Sequence, residues 1–381
     1  VTKAGGWQAL RAYYPSQYGQ DSRSRLFEAA AIRYSWAGGG LIMDKKAFSF
    51  LVVGLLLGVL TTTAGFAWYV RERRSPSGDT SARVLKLAHS LDQSHPVHKG
   101  MEFMARRLAE LSGGAMRIEI FPNEQLGNET EAIEQVQRGA VAMTKTSTAS
   151  LESFIPQMAV FGVPYIFRDA EHSWKVLEGP LGHELLLVGE SHGVRGLCYY
   201  DAGSRNFYTI KTPILAPDSL KGLKIRVMKS KTSMDMVQAL GAAPTPIPWG
   251  ELYTALQQGM VDGAENNPPS FVSNRHYEVC KHFSLDEHTI IPDILLVSES
   301  VWLSLPPQEQ AWLQQAADES RDFQRTLWAD ETHAARDEMQ KQGVAIHEPD
   351  RQPFIDKVQA LHRSYDGTEL GELLRRIKED Y

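Results

Sequence analysis

From Gln308 to Gln342 the chain contains neither glycine nor proline, the two residues that interrupt helices most strongly. Pro306-Pro307 opens this run, where a helix tolerates proline because its first N–H groups have no internal partner. Trp312, Leu313, Ala316, Ala317, Phe323 and Leu327 recur along it as an apolar stripe. Roughly 35 residues rising about 1.5 Å each make a helix about 50 Å long. That exceeds one small lobe, so the helix is expected to lie across two lobes and to limit how they hinge.

The flanking sequence supplies those lobes. Val84–Ala88 and Met116–Phe121 alternate as strands, with helices read over Val97–Leu111 and Glu129–Arg138 and a further strand at Val141–Thr144. This order implies a largely parallel sheet covered by helices. Phe154–Phe167, with two prolines, reads as loop and short helix, Trp174–Gly189 as one helix, and Val194–Tyr200 as a strand. Asp201–Asn206 reads as loop before a strand beginning at Phe207. A second α/β round follows, with a helix at Ser270–Arg275, strands at Val279–Ser284 and Ile294–Ser298, and a helical tail over Phe354–Tyr381. The expected fold class is α/β, with two lobes around a ligand cleft. Lobe I takes 84–203 plus 292–331; lobe II takes 204–291 plus 332–381.

The N-terminal part reads as export machinery. Met43-Asp-Lys-Lys, the apolar run Ala47–Leu60 and the small residues Thr61–Gly65 have the layout of a secretory signal. Left uncleaved, Phe48–Val70 is long enough to span a bilayer, although Arg71, Arg73 and Arg74 would then sit on the side where basic residues are unusual. Residues 43–70 are therefore read as a signal peptide or signal anchor, with cleavage favoured. Residues 71–83 read as a linker. Residues 1–42 lack periodicity and are expected to be a non-native extension upstream of a true start at Met43. Periplasmic export follows, with membrane contact through this segment only if it stays uncleaved.

The densest pattern runs from Lys221 to Pro268. Leu223–Val227 alternates as a half-buried strand. Met234, Val237 and Leu240 recur at helical spacing before Gly241, which suits a C′ position. Leu252, Leu256, Met260 and Val261 mark a second helix ending at Asp262-Gly263. Arg226 stands at the end of the strand. From position alone it reads as solvated, yet a guanidinium there also offers the planar fork that fits a carboxylate.

Other chemistries find little support. A net charge of −6 with no basic domain argues against nucleic-acid binding. No P-loop, HExxH or CxxC motif occurs. Gly189-Glu-Ser191-His-Gly193 matches G-x-S-x-G, but the nucleophile elbow needs a strand followed by a helix, and here the order is reversed. His95 with His98, and Cys280 with His282 and His288, match no standard metal spacing. Cys198 and Cys280 could pair or remain isolated thiols.

Several collinear segments then carry a family resemblance: HKGMEFMARRLAELSGG, FPNEQLGNETEAIEQVQRG, FGVPYIFRD, LKGLKIRV, LGAAPTPIPWGELYTALQQGMVDGAENNP and KQGV. Across 84–381 the chain resembles the DctP-type solute-binding proteins of tripartite ATP-independent periplasmic (TRAP) transporters. The resemblance implies two α/β lobes closing on an organic acid and delivery to the TRAP membrane permease subunits, with no cofactor, no metal and no catalysis. It carries the carboxylate-binding arginine of the KxRV strand onto Arg226 and a second arginine onto Arg205 in GSRNFY. The asparagine of DGxEN falls on Asn266. Glu129 stands where the family has an acid able to accept from ligand hydroxyls. Ser147 stands where sialic-acid binders place a glutamate, which argues against that ligand. TKTSTASLESFIP with SHPVHKG is similar to relatives that bind hexuronates such as glucuronate or galacturonate. In that reading His95, Glu129, Asn266 and Ser147 meet hydroxyls, and Phe207 or Trp249 covers a ring face. The alternatives are a dicarboxylate or keto acid in the same role, a membrane-tethered receptor domain, or a periplasmic hydrolase.

Overall fold

The computed structural model describes residues 82–381 and, separately, helical residues at 49–50, 53–58 and 61–63. The expected extension over 1–42, most of the signal segment 43–70 and the linker as far as residue 81 lie outside the described residues. Among the described residues no helix is long and apolar enough to cross a membrane.

Strand β1 (Arg83–Ala88), helix α1 (Pro96–Leu111), β2 (Met116–Phe121), α2 (Glu129–Gln137) and β3 (Met143–Ser147) open the first lobe. β1 pairs in parallel with both β2 and β3. A capping box starts α2: the Asn128 side chain accepts from Glu131 N–H, and Glu131 accepts from Asn128 N–H. Then come α3 (Thr148–Leu151), a 3₁₀ turn over Pro156–Gly162, α4 (Ala170–Glu178), α5 (Pro180–Leu187) and β4 (Val194–Tyr200). The single helix expected over Trp174–Gly189 is thus two. Gly179 is extended and Pro180 brings no N–H, so the ladder cannot continue through them.

The second lobe comprises β5 (Ser204–Thr209), β6 (Lys224–Val227), α6 (Lys231–Leu240), β7 (Ala243–Pro246), α7 (Trp249–Gln257), β8 (Gly263–Asn266), α8 (Pro268–Ser273) and β9 (His282–Ile290). Two expectations are corrected here. Met260 lies beyond α7 and is exposed, and Gly263 begins a strand rather than only ending a helix. Arg205 and Asn206 lie on β5, not in a loop. The chain then returns to the first sheet as β10 (Asp293–Ser298) and continues through α9 (Glu299–Ser304), α10 (Pro307–Lys341), β11 (Ala345–His347), α11 (Gln352–Ser364) and α12 (Glu369–Asp380). The sheets run β2-β1-β3-β10-β4 and β11-β9-β5-β8-β6-β7. The assignment of all of 332–381 to lobe II is corrected at α12. Its Leu373, Leu374 and Ile377 pack into the lobe I core, because Thr368 caps a new helix that turns the chain back.

Helix α10 is 35 residues long and serves both lobes. Leu313, Ala316, Ala317 and Trp328 join one lobe I core cluster, while Met339 sits in a lobe II cluster. Its buried face also carries Ser320 and Gln324, which replace the expected Phe323; Phe323 is 37% exposed and stacks on Phe103. The polar pair holds the crossing between lobes. Tyr200 O–H donates to Ser320 Oγ at 2.7 Å. Gln324 Oε1 accepts from Asp201 N–H at 2.8 Å, and its Nε2 donates to Asp201 O at 2.9 Å. Gly100 allows α1 this close, since a Cβ there would lie 2.9 Å from that of Gln324. Gln324→Leu leaves both Asp201 backbone groups unpaired and should cost about 1–3 kcal/mol, read from urea midpoints at unchanged m-value.

Candidate functional site

The cavity that matters lies off the ends of strands, as is usual in open α/β sheets. Ser90 and Leu91 follow β1, Ser147 ends β3, Met228 follows β6, and Asn266 and Asn267 lie at the end of β8. Arg205 and Asp293 stand at the starts of the antiparallel strands β5 and β10, and all of these line one hollow. Helices α1, α2 and α7 present their N-terminal residues His95, Glu129 and Trp249 to the same hollow, so the positive ends of three helices converge on it. It adjoins a wider groove that shares Glu129, Arg226, Met228 and Trp249.

Arg226 dominates the electrostatics. Its residue is 2% exposed, Nε donates to Ile247 O at 2.8 Å, and the guanidinium lies 5.7 Å from the Trp249 ring centroid. Among the described residues, Nη1 is buried without a hydrogen-bond partner, as is Trp249 Nε1. Burial lowers the Arg226 pKa, the direction for a cation held without its own carboxylate. Arg205, by contrast, is spent. It pairs with Glu265 through Nε and, at 2.9 Å, through Nη2, and its Nη1 donates to Asn266 Oδ1 at 2.9 Å. Burial alone would raise the Glu265 carboxyl, but Arg205 and His288 outweigh it and hold the pKa at about 2. Burial would likewise lower His288. Asp286, 2.7 Å from Nδ1, and Glu265, 3.5 Å from Nε2, bring it instead up to about 9.

The other residues expected from sequence divide clearly. His95 caps α1: Nδ1 accepts from Val97 N–H, leaving the proton on Nε2, 3.1 Å from Ser270 Oγ across the cleft. Burial and Lys145 lower its pKa to about 3, so the ring is neutral. Glu129 accepts from Ser147 N–H at 3.3 Å and Ser150 O–H at 2.6 Å. Asn266 Oδ1 is taken by Arg205 and by Asn267 N–H, so Nδ2 is the group it can offer. Ser147 and Trp249 line the cavity. Phe207 does not, and its expected role is corrected: it is fully buried in the lobe II core, 4.4 Å from the His288 ring, further down β5 than the strand end. Lys145, Asp293, Asn267, Ser270 and Trp328 were not anticipated. Lys145 alone left a trace, as a charge in the otherwise uncharged segment MTKTS, whose five residues are all buried.

Lobe I also reaches over the rim. Glu152 accepts from Ser230 O–H and from Thr232 N–H and O–H at the start of α6, and Glu124 accepts from Gly250 N–H in the first turn of α7. A larger hollow lies behind the crossing segments, and its arginines are engaged. There Arg168 donates to Tyr381 O and Arg351 pairs with Glu287. Ser191 lies exposed in a 3₁₀ turn before β4, the wrong geometry for an elbow. Cys198 and Cys280 are free and buried. His282 pairs with His347, apart from His288 with Asp286.

Residues 87–368 match the family model described as bacterial extracellular solute-binding protein, family 7, DctP. The chain is 38% identical over 286 residues to YiiZ of Salmonella typhimurium, covering 74% of this chain and 86% of that one. It is 33% identical over 267 residues to the C4-dicarboxylate-binding periplasmic protein DctP of Rhodobacter capsulatus, covering 70% and 80%. A TRAP periplasmic solute-binding protein of Xanthobacter autotrophicus Py2, solved with β-D-galacturonate, superposes with TM-score 0.75 at 39% identity, covering 77% of this chain and 99% of that one. Its Roseobacter denitrificans counterpart, solved with β-D-glucuronate, gives 0.76 at 32% identity, covering 78% and 99%.

The Arg205–Glu265–His288 cluster sets a pH window. Glu265 falls from 4.5 to about 2 on folding, so its contribution is full above 4.5 and lost as pH drops toward 2. His288 rises from 6.5 to about 9, so its contribution is full below 6.5 and lost as pH rises through 9. The Tm difference between wild type and His288→Gln should therefore be largest below pH 6.5 and shrink toward pH 9. A difference that grows on the alkaline side would contradict this ionic role.

Proposed function

The chain belongs to the DctP family of bacterial extracellular solute-binding proteins, and from that premise we propose that its inter-lobe cavity captures a hexuronate for a TRAP membrane permease. The observation that carries this reading is the buried Arg226 guanidinium, whose Nη1 has no partner among the described residues. Burying an unpaired charge is costly, and a ligand carboxylate supplies the missing complement with charge-assisted hydrogen bonds. Trp249 Nε1–H is a second unpartnered donor in the same cavity.

The remaining lining suits a polyol. Asp293 and Glu129 accept, Lys145 and Asn266 Nδ2 donate, and Ser147 and Ser270 can do either. His95 Nε2–H spans the cleft to Ser270, so ligand hydroxyls arriving there would meet groups from both lobes. Relatives at 39% and 32% identity hold galacturonate and glucuronate, which supports a hexuronate over a short apolar-bodied acid. No covalent step is called for. The work is recognition, exclusion of water and release to the permease. The family's extracellular role and the signal-like layout of residues 43–65 support a periplasmic location for this work.

The mechanism follows from the geometry. With the lobes apart, Arg226 is solvated and the rim contacts of Glu152 and Glu124 are broken. A carboxylate that docks on Arg226 carries the ligand's hydroxyls toward lobe I, and closure then removes water from both partners and strengthens their attraction. The rim carboxylates cap α6 and α7 in the closed form and stabilise it without touching the ligand.

Arg226→Met tests this. Galacturonate and glucuronate affinity should fall by about 3–5 kcal/mol, roughly a hundredfold to several thousandfold, by isothermal titration calorimetry. The ligand-free variant should melt close to wild type, because Arg226 has no carboxylate partner until a ligand docks. Retained affinity would sink the carboxylate assignment.

A further inference from the structure

The two walls of the cavity carry opposite net charge, and from this we infer that the site excludes ligands bearing a second carboxylate, with Asp293 as a specificity-determining residue. The inference rests on the reading that one ligand carboxylate docks on Arg226.

The lobe II wall holds Arg205 and Arg226 against Glu265. The first is neutralised by Glu265, so Arg226 leaves this wall positive. The lobe I wall holds Glu129, Lys145 and Asp293. Lys145 Nζ lies 3.1 Å from Asp293 Oδ2 and 3.7 Å from Glu129 Oε1, so two carboxylates share one ammonium and the wall is negative. All three side chains are largely shielded from water, Lys145 and Asp293 at 2% and 10% side-chain exposure, so their fields are weakly screened.

Hydroxyl groups satisfy such a wall, because each can donate to Asp293 or Glu129 and accept from Lys145. A carboxylate cannot. It only accepts, the one ammonium is already shared, and it brings like charge beside two others. Asp293 is the more telling residue of the two acids. Glu129 is anchored by Ser147 and Ser150 as well as Lys145, whereas the hydrogen bond to the Asp293 carboxylate among the described residues comes from Lys145 alone. Asparagine keeps that acceptor and removes the charge.

The test uses galacturonate with two open-chain acids, galactonate and galactarate, which differ only in carrying CH₂OH or a carboxylate at the far end. Calorimetry on wild type should give galactonate at least about a hundredfold tighter than galactarate, and Asp293→Asn should narrow that ratio at least tenfold. Galactarate within about threefold of galactonate on wild type, or a ratio unmoved by Asp293→Asn, overturns the inference. If only galacturonate binds wild type, galactarate binding gained by Asp293→Asn supports it and continued silence overturns it. Should Asp293→Asn fail to fold, Glu129→Gln removes the same unit of charge and carries the same expectations. Failure of the hexuronate reading looks different. Galactonate would bind in preference to galactarate while galacturonate does not, leaving the exclusion standing, whereas preference for galactarate over every monocarboxylate overturns both.

Discussion

A guanidinium cannot be dehydrated cheaply, and the second lobe is built around doing so for Arg226. The charge is held by one backbone carbonyl, Ile247 O, and by the face of Trp249. Neither neutralises it. Cation–π contact and helix N-termini cannot replace a counter-ion, and the N-termini even oppose the cation. The neighbouring Arg205 is treated differently, with a carboxylate of its own that His288 and Asp286 buttress from behind. Two arginines a short way apart on one sheet thus have different fates. The paired one is architecture, and the unpaired one is the place where binding energy can be realised.

That contrast explains why the site needs two lobes. A cavity at the strand ends of one sheet would be open to water, and water would screen Arg226 and satisfy its donors. The facing lobe removes that option. It brings Lys145, Asp293 and Glu129 opposite, adds the His95–Ser270 contact through the middle, and fastens the rim with Glu152 and Glu124 on helix N-termini. These rim contacts put carboxylates where backbone N–H groups lack partners, a favourable arrangement. Helix α10 stabilises the other side. By holding both backbone groups of Asp201 through Gln324, it ties the crossing segment to a helix that packs into both lobes.

Much of this was readable in the chain. The run from Gln308 to Gln342 gave the long helix nearly to the residue, because glycine and proline are local breakers whose effect needs no tertiary context. Met116–Phe121 and the Gly241 cap, with φ at 106°, were equally local. The errors share a cause. Phe323 looked like part of the stripe, yet Gln324 is the buried neighbour because its amide finds Asp201 across the crossing. Phe207 looked like a ring-stacking residue, yet its place is further down β5 than the cavity reaches.

By itself the sequence determined most of the helices and strands, that two lobes share one long helix, and that an arginine stands near the end of the strand Leu223–Val227. These follow from periodicity and breakers, which act within a few residues. Only the tertiary structure decided which charges are cancelled. Arg205 and Arg226 are indistinguishable as residues; Glu265 reaches one and leaves the other bare. Lys145 and Asp293, 148 positions apart, meet only because β3 and β10 are neighbours in one sheet. Charge compensation depends on distances between chain-remote groups, and those distances exist only once the fold has formed.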